Sequence, residues 1–240
     1  MLDVSQIKLS KKDLEKGLKL PENLTPDLAY LGGFMAGDGN LFIENNKRYD
    51  ITCVGNLRDE KDFFDNIIKP LFDKIFCLKV KPKFEGKNTY GIRIFSKGLL
   101  FFFNKILEIP VGKKSDKIFI PKIILSSDKL TKSFIQGLAD ADFTLCLKRR
   151  YKKVAYYPTI AGFLNSKRMI KQISLYLRRK HIPHSLQLDV KSFDKRFNKF
   201  WTSHRIYIYG KKNVYKWMLT IGFKNPKFLK IARESLLEIS

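Results

Sequence analysis

The chain of 240 residues carries 47 lysines and arginines against 23 acids, and its hydrophobic fraction of 44% is enough for a substantial core. A net charge of +24 excludes an ordinary neutral enzyme surface and indicates a polyanionic partner, either nucleic acid or an anionic membrane. The most apolar run, residues 98–111, is interrupted by Asn104, Lys105 and Glu108, and the N-terminus lacks a signal-peptide pattern. We therefore expect no membrane partner and an intracellular protein.

The first strong helix signal begins at Thr25, a predicted N-cap, with Pro26 at the first helical position and Gly39 as a suitable C-terminal glycine. The segment LGGFMAGDGNLF, residues 31–42, places four glycines in twelve positions. Each glycine in a helix costs about 0.5 to 1 kcal/mol relative to alanine. The sequence therefore predicts that these glycines have a purpose beyond helix formation.

The second half of the chain repeats the first. Four blocks recur in one order, with residues 31–43 matching 135–147, residues from 52 matching those from 159, 92–97 matching 206–211, and 112–117 matching 222–227. Such a series predicts a duplication, which we divide into an N-terminal repeat of residues 1–125 and a C-terminal repeat of residues 126–240. Each repeat reads as helix, hairpin, helix, hairpin, helix.

Both repeats predict sheets that are covered on one face. After each repeated acid the hydrophobic pattern has a period of two, with Leu41 and Ile43 corresponding to Leu145 and Leu147. The alternate positions, Asn40, Phe42, Glu44, Thr144, Cys146 and Lys148, are expected on the other face. Amphipathic helices at residues 61–74 and 166–180 are expected to cover the first face and to leave the second open. The predicted fold class is α+β.

The glycines and the acids are explained together. Positions four apart share a helix face, so Gly33 with Gly37, and the aligned Gly137 with Ala141, form two stripes without bulk that allow two helices to touch closely. Close pairing would bring Asp38 and Asp142 together near a pseudo-twofold axis. Two carboxylates at negative helix ends repel, and a hard divalent cation would compensate them. This layout suits metal-assisted phosphodiester hydrolysis.

Both stretches, LGGFMAGDG and IQGLADADF, resemble the LAGLIDADG motif, and the chain resembles a two-motif, single-chain LAGLIDADG homing endonuclease over nearly its full length. The resemblance implies a saddle of two antiparallel sheets paired through the motif helices, and cleavage of both DNA strands. It implies Asp38 and Asp142 as catalytic metal ligands, with Gly37 and Ala141 beside them in the metal site. It further implies Mg²⁺, for which Mn²⁺ is expected to substitute.

The same family resemblance implies a basic catalytic residue in each repeat, which corresponds to Lys114 in GKKSDKIFIP and to Lys224 in GFKNPK. The closing glycine of the motif is present as Gly39 but is replaced by Phe143. We expect a bulky residue there to strain the second active site, because it cannot adopt the left-handed conformation easily. Asp140 occupies a position that holds Ala36 in the first repeat, so we expect it to be structural.

A basic surface with interspersed aromatic residues follows from residues 147–157 and 190–212. A strand of about ten residues spans roughly 33 Å, close to one turn of B-DNA, so two sheets could follow about two turns of duplex. The candidate DNA-binding residues are Asn40, Phe42, Glu44, Arg48, Arg93, Thr144, Lys148, Arg150, Lys152, Lys191, Lys195, Arg196, Arg205 and Tyr207. The aromatic residues Phe193, Phe197, Phe200 and Trp201 could form a hairpin core or stack on bases, and we expect the hairpin core.

Other potential metal or redox sites are weak. Cys53, Cys77 and Cys146 form no CxxC pair and are odd in number, which predicts reduced core thiols rather than a zinc ribbon or disulfide scaffold. His181 and His184 have no nearby cysteine pair and no counterpart in the first repeat, so we expect them in a loop.

The leading hypothesis is a monomeric, site-specific, metal-dependent endonuclease acting on double-stranded DNA at a long, nearly asymmetric target, with the homing of an intron or a free-standing gene as its biological setting. Two alternatives stay open: a cleavage-deficient DNA-binding regulator on the same fold, and a maturase that binds intron RNA. A chain that starts at Met1 and ends in LLEIS lacks the terminal residues of protein splicing, so an intein is disfavoured.

Overall fold

The structure, a computed structural model, describes residues 1–114, 116–149, 156–195 and 198–236. Its strands are β1 Gly39–Glu44, β2 Arg48–Asn56, β3 Lys83–Gly86, β4 Thr89–Phe95, β5 Phe143–Arg149, β6 Tyr156–Leu164, β7 Ser185–Asp194 and β8 Lys199–Tyr209. Its helices are α1 Lys11–Glu15, α2 Pro26–Gly37, α3 Leu57–Phe63, α4 Lys69–Phe76, α5 Lys97–Lys105, α6 Lys122–Leu125, α7 Asp128–Asp142, α8 Lys167–Arg179, α9 Lys211–Thr220 and α10 Pro226–Leu236. A π-helical segment, Phe64–Ile68, joins α3 to α4.

Two four-stranded antiparallel sheets have the same strand order. The N-terminal sheet runs β1-β2-β4-β3 and the C-terminal sheet runs β5-β6-β8-β7. Each follows one long helix, α2 or α7, and each has helices packed on one face, so the α+β class and the repeated αββαββα order are confirmed. Helices α1, α6 and α10 are additions to that order. No helix in the described part of the chain is long and apolar enough to cross a bilayer.

Local sequence signals fix the helix starts. The Thr25 hydroxyl accepts a hydrogen bond from the Leu28 amide, and Pro26 is the first residue of α2, as predicted. Ser166 caps α8 in the same way. Helix α2 nevertheless ends at Gly37 with Asp38 as its C-cap, so the predicted end at Gly39 is wrong by two residues.

The register of the sheets corrects one part of the repeat alignment. Leu41 pairs with Ile51 in the first sheet, and Leu145 pairs with Ile160 in the second, so Ile160 is the counterpart of Ile51. The sequence blocks instead matched Ile160 with Cys53, two residues away. A shift of two residues leaves the alternation of buried and exposed positions unchanged, and the hydrophobic pattern therefore could not reveal it.

An N-terminal arm, residues 1–18, is packed onto the first repeat. Leu2, Ile7 and Leu18 are buried in the core, and Asp13 is only 1% exposed. The Asp13 carboxylate accepts hydrogen bonds from Ser96 Oγ at 2.5 Å and from the Gly98 amide at 3.0 Å. The arm is thereby fixed to the start of α5, where β4 ends.

Candidate active site

Helices α2 and α7 touch backbone to backbone. A Cβ atom on Gly33 would lie 1.9 Å from the carbonyl oxygen of Phe134, and one on Gly137 would lie 2.0 Å from the carbonyl oxygen of Tyr30. Real Cβ atoms do not approach carbonyl oxygens so closely, so both positions require glycine. The predicted close approach through the glycine stripes is confirmed, and the two contacts are related by the pseudo-symmetry of the repeats.

The two acids meet at the end of this helix pair. Asp38 is the C-cap of α2, and Asp142 is the last residue of α7. A Cβ on Gly37 would lie 3.1 Å from Asp142 Oδ2, so the Asp142 carboxylate lies directly against the end of α2. Burial, followed by the charges of Asp142 and Glu60, raises the pKa of Asp38 to about 8. Burial also raises the pKa of Asp142 to about 6.

Lys114 occupies the same place, as predicted. Its Nζ donates a hydrogen bond to the Met35 carbonyl oxygen at 3.1 Å and further hydrogen bonds to the carbonyl oxygens of Gly37 and Gly39. It therefore caps the negative end of α2. Burial lowers the pKa of Lys114 to about 8, although the charges of Asp142 and Asp38 oppose that change. The Lys114 charge in turn lowers the pKa of both acids.

The donor set suits a hard divalent cation. Both carboxylates are destabilised as anions by burial, and oxygen ligands of this kind are what Mg²⁺ and Ca²⁺ prefer. Among the described residues no group of three or more histidine, cysteine or acidic side chains could hold a metal. Two protein carboxylates therefore suit a site that takes its remaining ligands from water, backbone carbonyls or a phosphate, rather than a closed structural metal site.

Solved structures share this arrangement of elements. The chain aligns with I-DmoI in complex with DNA and Ca with a TM-score of 0.58 and 20% identity, over 88% of this chain and 98% of that one. A lysine-to-alanine mutant of I-SmaMI aligns with a TM-score of 0.56 and 14% identity, over 90% and 96%. This chain has the LAGLIDADG fold. Its two motif helices are α2 and α7.

Curated relatives match over nearly the whole chain but only over a small part of themselves. Replication factor C small subunit of Methanocaldococcus jannaschii is 29% identical over 214 residues, which are 89% of this chain and 10% of that protein. Glutamine--fructose-6-phosphate aminotransferase of the same organism is 24% identical over 206 residues, 86% and 17% respectively. The similarity therefore covers only a segment of each relative. No family model matches the chain.

The LAGLIDADG fold tolerates Phe143 without the strain that the sequence led us to expect. Phe143 has an extended backbone, with φ −98° and ψ 161°, and Gly39 has no left-handed φ either. A Cβ on Gly39 would lie 2.4 Å from the Met35 carbonyl oxygen, so glycine is needed there for clearance and not for a left-handed cap. The expectation of backbone strain at Phe143 is wrong.

Space for the Phe143 ring comes from the neighbouring strand. Gly39 pairs with Cys53, whereas Phe143 pairs with Gly162. A Cβ on Gly162 would lie 2.4 Å from Phe143 Cε1, and the ring, 2% exposed, stacks on Trp217 at 5.9 Å between centroids. The glycine is on the first strand of the N-terminal sheet, at Gly39, but on the second strand of the C-terminal sheet, at Gly162. The space between these paired positions is therefore filled from opposite strands in the two repeats.

Asp140 is structural, as predicted. It is fully buried and accepts hydrogen bonds from Tyr30 Oη at 2.6 Å, from the Lys224 amide at 2.9 Å and from the Asn225 amide at 3.1 Å. Tyr30 belongs to α2, so this carboxylate ties the first motif helix to the loop before α10. Burial raises the pKa of Asp140 to about 6, against the effect of these hydrogen bonds.

Lys224 does not reach the two acids, so its predicted place as the counterpart of Lys114 is wrong. Its Nζ lies 4.2 Å from the centroid of the Tyr30 ring and 3.8 Å from Asp27 Oδ1. Lys227, the second residue of α10, is the basic residue next to this loop whose charge lowers the pKa of Asp38. Lys227 was not predicted, although the preceding Asn-Pro pair signals a helix start there.

The predicted DNA-binding residues of the first repeat share the open face of the N-terminal sheet. Asn40, Phe42 and Glu44 alternate outward on β1, Arg48 pairs with Glu44, and Arg93 follows on β4. The face is not simply basic, because Asp50 lies at its centre and is 4% exposed. Its carboxylate holds Arg93 at 2.5 Å and Arg48 at 3.6 Å. A second acid, Glu85, contacts Arg93 at 3.4 Å.

Thr144, Lys148, Arg205 and Tyr207 share the open face of the C-terminal sheet, as predicted, although Tyr207 is buried there at 8% exposure. Lys148 Nζ lies 5.1 Å from the Tyr207 ring, and the Tyr207 and Tyr209 rings stack at 5.5 Å with an angle of 11°. Arg205 donates a hydrogen bond to Ser192 Oγ at 2.6 Å. Among the described residues no acid pairs with Lys148 or Arg205 on this face.

The remaining predicted residues of this sheet lie off its open face, in a turn, or outside the described residues. Lys191 pairs with Thr202, which shares its face with the buried His204, so Lys191 does not lie on the open face with Arg205. Lys195 is exposed in the turn after β7. Arg150, Lys152, Arg196 and Phe197 lie outside the described residues.

The described aromatic residues of the β7–β8 hairpin are not core. Phe193, Phe200 and Trp201 are 47%, 67% and 46% exposed. The three cysteines were predicted to lie in the core, but only Cys53 is buried. Cys77 is exposed and Cys146 is half-buried.

His181 and His184 lie in a loop, as expected. His181 lies in the turn after α8, and His184 lies between that turn and β7, where its ring bonds to Ser174 Oγ and to the Ile182 carbonyl oxygen.

Proposed function

We propose that this chain is a site-specific endonuclease that cuts both strands of duplex DNA with the help of a divalent cation, acting as a monomer of two pseudo-symmetric halves. The observation that carries the proposal is the pair of half-buried carboxylates, Asp38 and Asp142, at the adjoining ends of two helices that lie between two open sheets. The I-DmoI complexes with DNA and Ca or Mn, which have the same fold, support it.

Asp38 and Asp142 are the residues that would hold the cation, Mg²⁺ or in its place Mn²⁺, which supplies Lewis-acid charge and an activated water near a scissile phosphate. The carbonyl of Gly37 accepts a hydrogen bond from Lys114 and keeps one lone pair for a further contact, and the carbonyl of Ala141 is its counterpart on α7. Lys114 places a positive charge beside the pair, where it would stabilise charge that develops on the phosphate. Lys227 adds a second charge on the side of Asp38.

The two open sheets would hold the duplex on either side of the acids. Strand pairs on both sheets begin next to the acids, at Gly39 and at Phe143, and run outward from them. At about 3.3 Å per residue, each sheet would follow roughly one turn of B-DNA and present side chains to base edges. A long target that is read differently by two unlike sheets would be nearly asymmetric.

The biological setting that we propose is homing, from an intron or a free-standing gene. The matched segment occurs within two long proteins of different names and is a small part of each. That distribution supports an element inherited independently of its surroundings. Retention of both acids favours cleavage over a regulator that only binds, because two carboxylates facing a phosphate weaken binding unless a cation compensates them.

Selection of cleaved sites from a random duplex library with Mg²⁺ tests the proposal directly. We expect enrichment of one long site with Mg²⁺, and retention of the same site without cleavage when Ca²⁺ replaces Mg²⁺. A parallel binding assay with intron-like RNA as competitor tests the alternative partner. Enrichment of no site with Mg²⁺, or stronger competition by the RNA than by the selected duplex, contradicts the proposal.

A further inference from the structure

A concentration of positive charge lies far from the two acids, where the N-terminal arm meets the end of the N-terminal sheet. A cleft of about 890 Å³ is lined there by six cations, Lys11, Lys12, Lys16, Lys47, Arg48 and Lys97. Its other lining residues are serines and aromatic rings. Half of the cations belong to the arm itself.

The charge continues into two adjoining clefts. One of about 640 Å³ shares Lys16 with the first and adds Lys79, Lys81 and Arg93. Another of about 240 Å³ shares Lys97 and adds Lys8 and Lys105. Among the described residues no carboxylate lines any of the three. We refer to these three clefts together as the arm cleft.

The lysines of the arm cleft are weakly compensated. Arg48 contacts Glu44 and Asp50, and Arg93 contacts Asp50 and Glu85, but the lysines form no ion pair within the described part of the chain. Lys16 Nζ donates only to the Phe95 carbonyl oxygen, at 2.9 Å, and Lys97 Nζ lies 5.6 Å from the Tyr49 ring. Like charges gathered in one place repel each other, and a polyanion would relieve that repulsion.

The arm that carries this charge is preorganised. Asp13, between Lys12 and Lys16, is 1% exposed and accepts hydrogen bonds from Ser96, Gly98 and Ser10. The buried carboxylate therefore fixes the neighbouring lysines on the sheet end before any ligand arrives. A preorganised surface loses less conformational entropy on binding than a disordered basic tail.

The position of the arm cleft specifies what it would contact. Strand β1 leaves Asp38 at Gly39, and Arg48 pairs with Glu44, five residues further along. At about 3.3 Å per residue this is roughly 17 Å, or about five base pairs of B-DNA at 3.4 Å each. We propose that the arm cleft binds the phosphate backbone of the duplex, about five or more base pairs from the cleavage position on the side of the N-terminal repeat. The inference rests on the proposed function for its cleavage position.

Lysines are point charges that contact phosphates without reading sequence. The arm cleft would therefore add affinity and fix the register of the duplex, while base readout is left to the open sheet faces. It would do so for the repeat whose own open face has its arginines neutralised by Asp50 and Glu85.

The test compares two triple variants of equal charge change in the full chain. The first is Lys8→Gln with Lys11→Gln and Lys12→Gln, all exposed arm residues. The control is Lys122→Gln with Lys129→Gln and Lys132→Gln, in α6 and at the start of α7, the end opposite Asp142. Affinity for a 40-base-pair duplex of random sequence is measured with Ca²⁺ between about 50 and 300 mM salt, and is repeated with an RNA hairpin of similar length.

Loss of three phosphate contacts should reduce the slope of log affinity against log salt by about 2.7 and weaken binding at 0.1 M salt by about 500-fold, or about eightfold for each contact. The control variant should change neither the salt slope nor the affinity by more than the weak long-range effect of three lost charges. The proposal is overturned if the arm variant and the control have equal salt slopes. It is also overturned if the arm variant loses more affinity for the RNA hairpin than for duplex DNA. The assay requires no cleavage, so arm-dependent binding by a protein that never cuts would contradict the proposed function alone.

Discussion

The N-terminal and C-terminal sheets have one topology and two different surfaces. On the first, Asp50 and Glu85 hold the arginines of the open face in ion pairs. On the second, Lys148 lies on a tyrosine stack, and within the described residues no acid neutralises it. On the proposed function, the lysine-rich arm of the first repeat would make phosphate contacts away from the sheet. The two halves share their topology and each supplies one acid of the pair, while the surfaces that we propose for DNA binding differ.

The largest effect should come from the site where the repeats remain alike. Asp38→Asn and Asp142→Asn should each reduce double-strand cleavage on the order of 10³-fold or more, because each removes a cation ligand, while binding to target duplex stays equal or improves as a charge facing phosphate is lost. Plasmid linearisation and equilibrium binding measure the two quantities. The exposed Asp62→Asn is the control.

Unimpaired linearisation by either acid variant would contradict the assignment of that carboxylate to a metal at a scissile phosphate. A variant that still nicked one strand efficiently would indicate two independent centres, and the surface difference between the repeats would then extend to catalysis.

The exchange of small and large residues between the repeats gives the next largest effect. Phe143→Gly should lower the free energy of unfolding by about 3 to 4 kcal/mol, because it leaves a cavity beside Trp217 that Gly162 cannot fill. Adding Gly162→Cys, which copies the Gly39–Cys53 pair, should recover part of that loss. Thermal or urea unfolding measures both. Equal stability of Phe143→Gly and the natural chain would show that the packing of the ring contributes little.

Sequence analysis predicted the fold and the acid pair because both depend on repeated local patterns. Gly33 and Gly137 predicted the contact between α2 and α7, because glycine destabilises a helix and the close approach of a second helix explains its presence. Patterns of period two could not detect the shift of two residues in β6. Lys227 and Asp50 were missed because their roles depend on where α10 packs and on cross-strand pairing, and neither is encoded in spacing along the chain.

A smaller effect would sharpen the comparison of the two surfaces. Lys148→Gln should weaken duplex binding about eightfold at 0.1 M salt, as expected for one lost phosphate contact. Arg93→Gln should have less effect on binding, because the guanidinium is already held by Asp50 at 2.5 Å and by Glu85. Binding titrations at several salt concentrations measure both, and Lys122→Gln is the control. A larger loss for Arg93→Gln than for Lys148→Gln would reverse our view of which sheet supplies the charge.

The smallest effect concerns the arm that only the first repeat possesses. Burial alone would raise the pKa of Asp13, but hydrogen bonds from Ser96, Gly98 and Ser10 outweigh it, so the pKa lies below its ordinary value. A depressed folded pKa means that ionised Asp13 stabilises the fold above about pH 4, and that this contribution is lost as the pH falls towards the folded pKa.

Asp13→Asn should therefore lower the free energy of unfolding by about 1 kcal/mol at pH 7. The difference from the natural chain should shrink below about pH 4, in melts recorded from pH 7 to pH 2. The variant should also lose part of its salt-dependent affinity for DNA at pH 7, because Lys11, Lys12 and Lys16 would no longer be fixed on the sheet end. A stability difference that is constant with pH would mean that the charge of Asp13 is not what anchors the arm.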